Sequence, residues 1–103
     1  MSEIVTFGKI SEIEANKLLV KRFGRKRIAV CSFEDKFYAF KDSCTHDGGT
    51  FDQETVCGKV IECPRHGAKF DITNGHVLSA PAYSSLETYP VTVVGDEIKI
   101  ELE

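Results

Sequence analysis

Ser43-Cys44-Thr45-His46-Asp47-Gly48-Gly49 and Glu62-Cys63-Pro64-Arg65-His66-Gly67-Ala68 are the stretches on which the reading of this chain turns. Each offers one thiolate and one imidazole, and sixteen residues lie between His46 and Cys63. Four soft-to-borderline donors in matched pairs can hold a metal centre that neither pair could hold alone. Gly48, Gly49 and Gly67 crowd the same stretches, where they allow the backbone to come close to a bound group. A structural zinc site of Cys₂His₂ type is the plainer reading of these donors, and Cys-x-x-His alone is a weak pattern.

Outside the two stretches the chain is ordinary. Its 103 residues suffice for one domain with a modest core, and 42% hydrophobic with 28% charged residues is a globular composition. A formal charge of −3 gives no polyanion-binding signature, so nucleic acid is not an expected partner. The best apolar run, Arg27-Ile28-Ala29-Val30-Cys31-Ser32-Phe33, is strand-sized and far too short to cross a bilayer. Met1-Ser2-Glu3-Ile4-Val5-Thr6-Phe7 has neither a basic leader nor a signal core, so the expected location is the cytoplasm, without membrane contact. In that compartment disulfides are disfavoured, including one between Cys31 and Cys57. Those two cysteines lack nearby histidines and read as small hydrophobes, in contrast to Cys44 and Cys63.

Alternation with period two, punctuated by turn residues, predicts antiparallel β structure. The expected strands are Ile4–Ile10, Lys17–Phe23, Arg27–Phe33, Lys36–Lys41, Val56–Glu62, Lys69–Ile72, His76–Leu78, Leu86–Val94 and Glu97–Leu102. Asn74-Gly75 is the strongest hairpin signal, since both positions favour positive φ. Gly95-Asp96, Glu34-Asp35 and, more weakly, Gly24-Arg25 supply other tight turns. Ser11-Glu12-Ile13-Glu14 has capping-box spacing with room for about one helical turn. His76 reads as a strand-surface residue. Lys21-Arg22-Phe23-Gly24-Arg25-Lys26-Arg27 carries five cations around a turn, either a solvated hairpin tip or a docking patch for an acidic partner.

The Cys-x-His…Cys-x-x-His arrangement, with Thr45 inside the first pair, Pro64 after Cys63, Gly67 after His66 and Pro81 in a third loop, resembles the cluster-binding motif of Rieske iron–sulfur proteins. Nearly the whole length resembles the small ferredoxins of that family, the ferredoxin components of multicomponent aromatic-ring-hydroxylating dioxygenases. The resemblance implies an all-β fold: one domain over residues 1–103, an antiparallel β-sandwich base carrying a small cluster-binding subdomain at about 43–80. It implies one [2Fe–2S] cluster per chain, with Cys44 and Cys63 on one iron and His46 and His66 on the other. Gly48, Gly49, Pro64 and Gly67 would shape loops whose N–H groups approach bridging sulfides, which zinc lacks, and Pro81 would help form a cover.

Charge then sets the redox expectation. Two thiolates and two neutral imidazoles leave an oxidised [2Fe–2S] assembly neutral, whereas four thiolates leave a dianion. Adding an electron to the neutral assembly costs less Coulomb energy, so the potential lies above that of all-cysteine ferredoxins. High-potential relatives carry a loop-bridging disulfide where this chain has Gly49 and Arg65, and Ser and Tyr hydroxyls where it has Ala68 and Phe70. Their absence points to the lower end of the range, about −150 mV.

All four Cys/His donors are then consumed and no nucleophile–base pair or second iron site is present, so the chain is expected to carry electrons without being an enzyme. By resemblance its partners are a flavin-containing reductase and a terminal oxygenase, and a monomer is expected. Two alternatives stand beside this: the small Rieske subunit of an assimilatory nitrite-type reductase complex, and a zinc-stabilised interaction module.

Overall fold

Period-two patterning is fulfilled most fully in Glu97-Ile98-Lys99-Ile100-Glu101-Leu102, where Ile98, Ile100 and Leu102 are buried and the residues between them are half-exposed. The computed structural model describes residues 3–15, 17–45, 49–51, 56–63, 67–80 and 84–102. Its strands are β1 (Glu3–Lys9), β2 (Leu19–Phe23), β3 (Lys26–Phe33), β4 (Lys36–Lys41), β5 (Val56–Cys57), β6 (Val60–Glu62), β7 (Lys69–Asp71), β8 (Val77–Ser79), β9 (Thr88–Tyr89), β10 (Val91–Val94) and β11 (Glu97–Leu102). They form three antiparallel sheets, ordered β1-β11-β10, β2-β3-β4-β9 and β5-β6-β7-β8.

The β2-β3-β4-β9 sheet is the middle layer because β3 is apolar on both faces. Ile28 and Val30 point to one side and join Phe7, Ala39, Tyr89, Ile98, Ile100 and Leu102 in a core shared with the β1-β11-β10 sheet. Ala29 and Cys31 point to the other side and join Phe40, Phe51, Ile61, Phe70 and Ile72 in a core shared with the β5–β8 sheet. Each fully buried side chain of this size contributes roughly 1.5–3 kcal/mol, so the two cores are the main stabilising terms. The all-β sandwich expectation holds.

Two-residue turns set the register. Gly24, Gly58 and Gly95 each open such a turn at positive φ, as a Gly-X hairpin requires. Glu34-Asp35 closes the β3–β4 hairpin with both residues at positive φ, 52° and 63°, the geometry of a type I′ turn.

Several expected elements differ. The strand expected over Val56–Glu62 is two strands, β5 and β6, because Gly58-Lys59 turns the chain back. The strand expected over Leu86–Val94 is also two: β9 pairs with β4 and β10 pairs with β11, so the chain changes sheets at Pro90. Proline has no N–H to give a ladder and suits such a crossover. Asn74-Gly75 is not a two-residue hairpin. Only Gly75 has positive φ, and the β7–β8 connection runs over five residues, with Gly75 N–H donating to Asp71 O (2.6 Å) and Asp71 N–H to His76 O (2.9 Å). The Asp71 carboxylate builds that turn by accepting from Thr73 N (2.8 Å) and Oγ1 (2.6 Å). The single helical turn is Ile10–Glu12, one residue early, because Glu12 reaches back to the N–H of Lys9 (2.7 Å) and is held there by Lys21 (3.0 Å). His76 is exposed, just ahead of β8.

Candidate metal centre

The first loop begins where β4 stops pairing. After Lys41, Asp42 N–H donates to Arg27 O at 2.8 Å, and the Asp42 side chain turns inward with no exposed surface. Its Oδ2 accepts from Arg27 Nη2 (3.1 Å) and Nε (3.3 Å), while Oδ1 accepts from the N–H of Phe51 (3.0 Å). One carboxylate therefore clamps both legs of the loop to β3. Inside the clamp, Cys44 N–H donates to Gly49 O at 2.7 Å.

The second loop joins β6 to β7 and is closed in the same way. Cys63 N–H donates to Ala68 O at 2.7 Å, again to the carbonyl five residues on, and Gly67 N–H donates to Cys63 O at 3.0 Å. Gly67 holds φ +78°, which a side chain would strain. Both loops thus present a cysteine at their entry with its backbone amide already satisfied.

Cys44 and Cys63 are fully buried and belong to one core cluster. Phe51 leaves the first loop and wedges between Phe40 of the middle sheet and Phe70 of β7, edge-on to both, with ring centroids 6.1 and 5.9 Å apart. That wedge fixes the loops relative to one another. A third segment is tied to both. Ser79 Oγ accepts from Lys69 N–H (3.2 Å) and donates to Gly67 O (3.5 Å), and Thr45 Oγ1 donates to Ser84 O (2.7 Å). Leu86 N–H donates to Gly75 O at 2.8 Å, and a Cβ on Gly75 would stand 2.5 Å from Leu86 O. The bonds at Ser79 and Ser84 bracket the segment in which Pro81 was expected to act.

Of the expected site residues, Cys44, Cys63, Gly49 and Gly67 are placed together by these contacts; His46, His66, Gly48, Pro64 and Pro81 lie outside the described residues. Among the described residues no three Cys, His, Asp or Glu side chains gather as a metal site, and the two imidazoles of the expected donor set lie outside them. The chemistry of that set fits a thiolate- and imidazole-held centre. Cys31 behaves differently: it sits mid-strand on β3, and burial pushes its thiol from 9.0 up to about 12, which keeps it protonated and a poor ligand. The side chain of Cys57 lies outside the description.

Asp42 and Phe51 were not expected as site residues. The signal for Phe51 was faint: a lone aromatic among Gly48-Gly49-Thr50 and Asp52-Gln53-Glu54. Asp42 had none, because its partners lie fifteen and nine residues away.

Comparison with known proteins bears on this geometry. Residues 3–90 match the family model of the Rieske [2Fe-2S] domain. The ferredoxin component of the naphthalene 1,2-dioxygenase system of Pseudomonas aeruginosa is 35% identical over 77 residues, 75% of this chain and 74% of that one. Ferredoxin CarAc of Metapseudomonas resinovorans is 37% identical over 81 residues, 79% and 76% of the two chains. Among solved structures, a chain in the complex of reduced oxygenase and oxidized ferredoxin in carbazole 1,9a-dioxygenase superposes with a TM-score of 0.86 at 31% identity, covering 94% of this chain and 91% of that chain.

Proposed function

Because the chain belongs to the Rieske [2Fe-2S] domain family, we propose that it carries single electrons to a terminal oxygenase through one [2Fe–2S] cluster held between the Cys44 and Cys63 loops. The cluster supplies the one-electron couple. Cys44 and Cys63 would bind one iron and His46 and His66 the other, the thiolates and imidazoles together setting the potential of the couple. Gly48, Gly49 and Gly67 would allow close backbone approach, Pro64 would shape the second loop, and Pro81 would contribute to a cover. The cluster-binding subdomain spans about 43–80 and the rest of residues 1–103 is the base.

The observation that carries this reading is the matched closure of the two loops. Cys44 N–H to Gly49 O and Cys63 N–H to Ala68 O, both 2.7 Å, leave two buried thiols equivalently presented in one core. A tetrahedral zinc site needs no such symmetry, and membership of a [2Fe–2S] family sets the zinc module aside. No helix among the described residues is long and apolar enough to cross a membrane. The kinship supports a flavin-containing reductase as donor and an aromatic-ring-hydroxylating oxygenase as acceptor, and we take the chain to be a monomeric, cytoplasmic carrier without a catalytic site of its own.

Anaerobic purification followed by iron and acid-labile sulfide analysis, visible absorption and reduced-state electron paramagnetic resonance tests the reading. The expected protein is reddish-brown with equal iron and sulfide, and His46→Ala or His66→Ala abolishes the signal. A colourless protein containing zinc, or an unaltered spectrum in both histidine variants, refutes the ligand set.

A further inference from the structure

Arg22 and Arg27 are direct cross-strand partners on β2 and β3. They form the last row of the middle-sheet face on which Ala29, Cys31 and Phe40 pack against the Cys44 and Cys63 loops. Like charges placed directly opposite are destabilising, so the fold gains nothing from this pair. Among the described cations the Asp42 carboxylate pairs with Arg27, and its other oxygen is already taken by Phe51 N–H. The Arg22 and Arg25 side chains are exposed and make no hydrogen bond or ion pair among the described residues. Five of the nine lysines, Lys9, Lys17, Lys21, Lys59 and Lys99, have a carboxylate within 4.0 Å.

Residue type sharpens the contrast. The chain has four arginines: three fall within the six residues 22–27, and the fourth, Arg65, is in the second cysteine loop. The nine lysines are spread from position 9 to position 99. Guanidinium forks bind carboxylates bidentately and are enriched at protein interfaces, whereas lysines are depleted there. The arginine edge also borders the loop mouth, since Arg27 holds Asp42, which stands two residues before Cys44. The loops themselves carry both signs, Asp47 and Asp52 against Arg65 and Lys69. On a chain of net charge −3, this edge is a local inversion of sign.

We propose that the β2–β3 hairpin edge, Arg22 and Arg25 backed by Arg27, docks a carboxylate-bearing face of the electron-accepting partner at the margin of the first cysteine loop. The inference rests on the electron-carrier reading above. A complementary face steers encounter and sets register, and it acts on association more than on final affinity.

The test uses the holoprotein and small oxidants of opposite charge. Stopped-flow oxidation of the reduced protein by ferricyanide, an anion, should slow by about tenfold as salt is raised, the opposite of what the net charge dictates. Oxidation by the cation hexaammineruthenium(III) should show the reverse slope. Arg22→Glu with Arg25→Glu should invert both slopes, and Arg22→Lys with Arg25→Lys should keep them. A short poly-L-glutamate should inhibit ferricyanide oxidation of the wild type and spare the charge-reversed variant. Thermal melting of the lysine variant should match the wild type, and the glutamate variant should melt no lower, since Arg22→Glu sets an opposite charge across from Arg27. Wild-type ferricyanide rates that rise with salt, slopes unmoved by charge reversal, or equal inhibition by polyglutamate and poly(dT) would each overturn the docking inference while leaving an intact redox centre. A protein without iron overturns this inference and the electron-carrier reading together.

Discussion

Replacing Asp42 with alanine should damage the first loop more than any single change on the surface around it. The carboxylate has no exposed area and accepts from the buried N–H of Phe51 at 3.0 Å. Alanine leaves that donor without an acceptor, which costs about 1–3 kcal/mol. The Arg27 guanidinium is 45% exposed and can return to water, so loss of its pairing adds only about 0–1 kcal/mol. The sum is ~1–4 kcal/mol, and a domain of this size loses roughly 4–8 °C of melting temperature per kcal/mol, so the midpoint of that range, about 2.5 kcal/mol, corresponds to a drop of about 10–20 °C. Asp42→Asn keeps an oxygen for Phe51 while removing the charge, so it should cost no more than about 1 kcal/mol. Urea unfolding followed by circular dichroism measures the stability, and the rate at which the visible absorption bleaches on warming reports on the loop. An alanine variant within about 0.5 kcal/mol of wild type, or an asparagine variant as weak as the alanine one, refutes the clamp.

Ala68 and Phe70 are both fully buried beside the second loop. Ala68→Ser with Phe70→Tyr should raise the midpoint potential by roughly 60 mV for each hydroxyl that finds the centre, a bond of ~1.5 kcal/mol in a one-electron couple; an unchanged or lower value in voltammetry contradicts this. The Cys31 thiol, ordinarily at 9.0, is raised to about 12 by burial, so the folded state holds its proton where the unfolded chain has lost it. Stability from this group is therefore complete below about pH 9 and falls as pH rises toward 12; Cys31→Ala should flatten that alkaline limb in pH-dependent unfolding. Gly75→Ala places a Cβ 2.5 Å from Leu86 O at φ +79°, and should cost about 1–3 kcal/mol, read as a lower urea midpoint.

What could be read from the sequence was what local pattern encodes. Lys36–Lys41 and Glu97–Leu102 agree with expectation to the residue, because alternation and flanking turns bound them on both sides. Val56–Glu62 and Leu86–Val94 were expected to run unbroken, since Gly58 and Pro90 sit within apolar alternation and only sheet pairing exposes the break. At Asn74-Gly75 the composition was right for a turn, but the Asp71 carboxylate captured Thr73 and lengthened it. The cysteine positions were legible because the spacing of metal donors is itself local. The parts that aim them were not: the Asp42 clamp and the Phe51 wedge join residues from three strands, and nothing within a short window of sequence marks such a meeting.

Strand β3 stands as a party wall between the two cores, Ile28 and Val30 facing one room and Ala29 and Cys31 the other. Neither room keeps its fourth side if the strand is withdrawn, so the sheets packed on its two faces must melt as a single cooperative unit. A fragment cut down to the two cysteine loops would lose the surface on which Phe51 and Phe70 lean. In this molecule, the endurance of the two cysteine loops is decided as much by methyl groups in the foundation as by the residues that would touch iron.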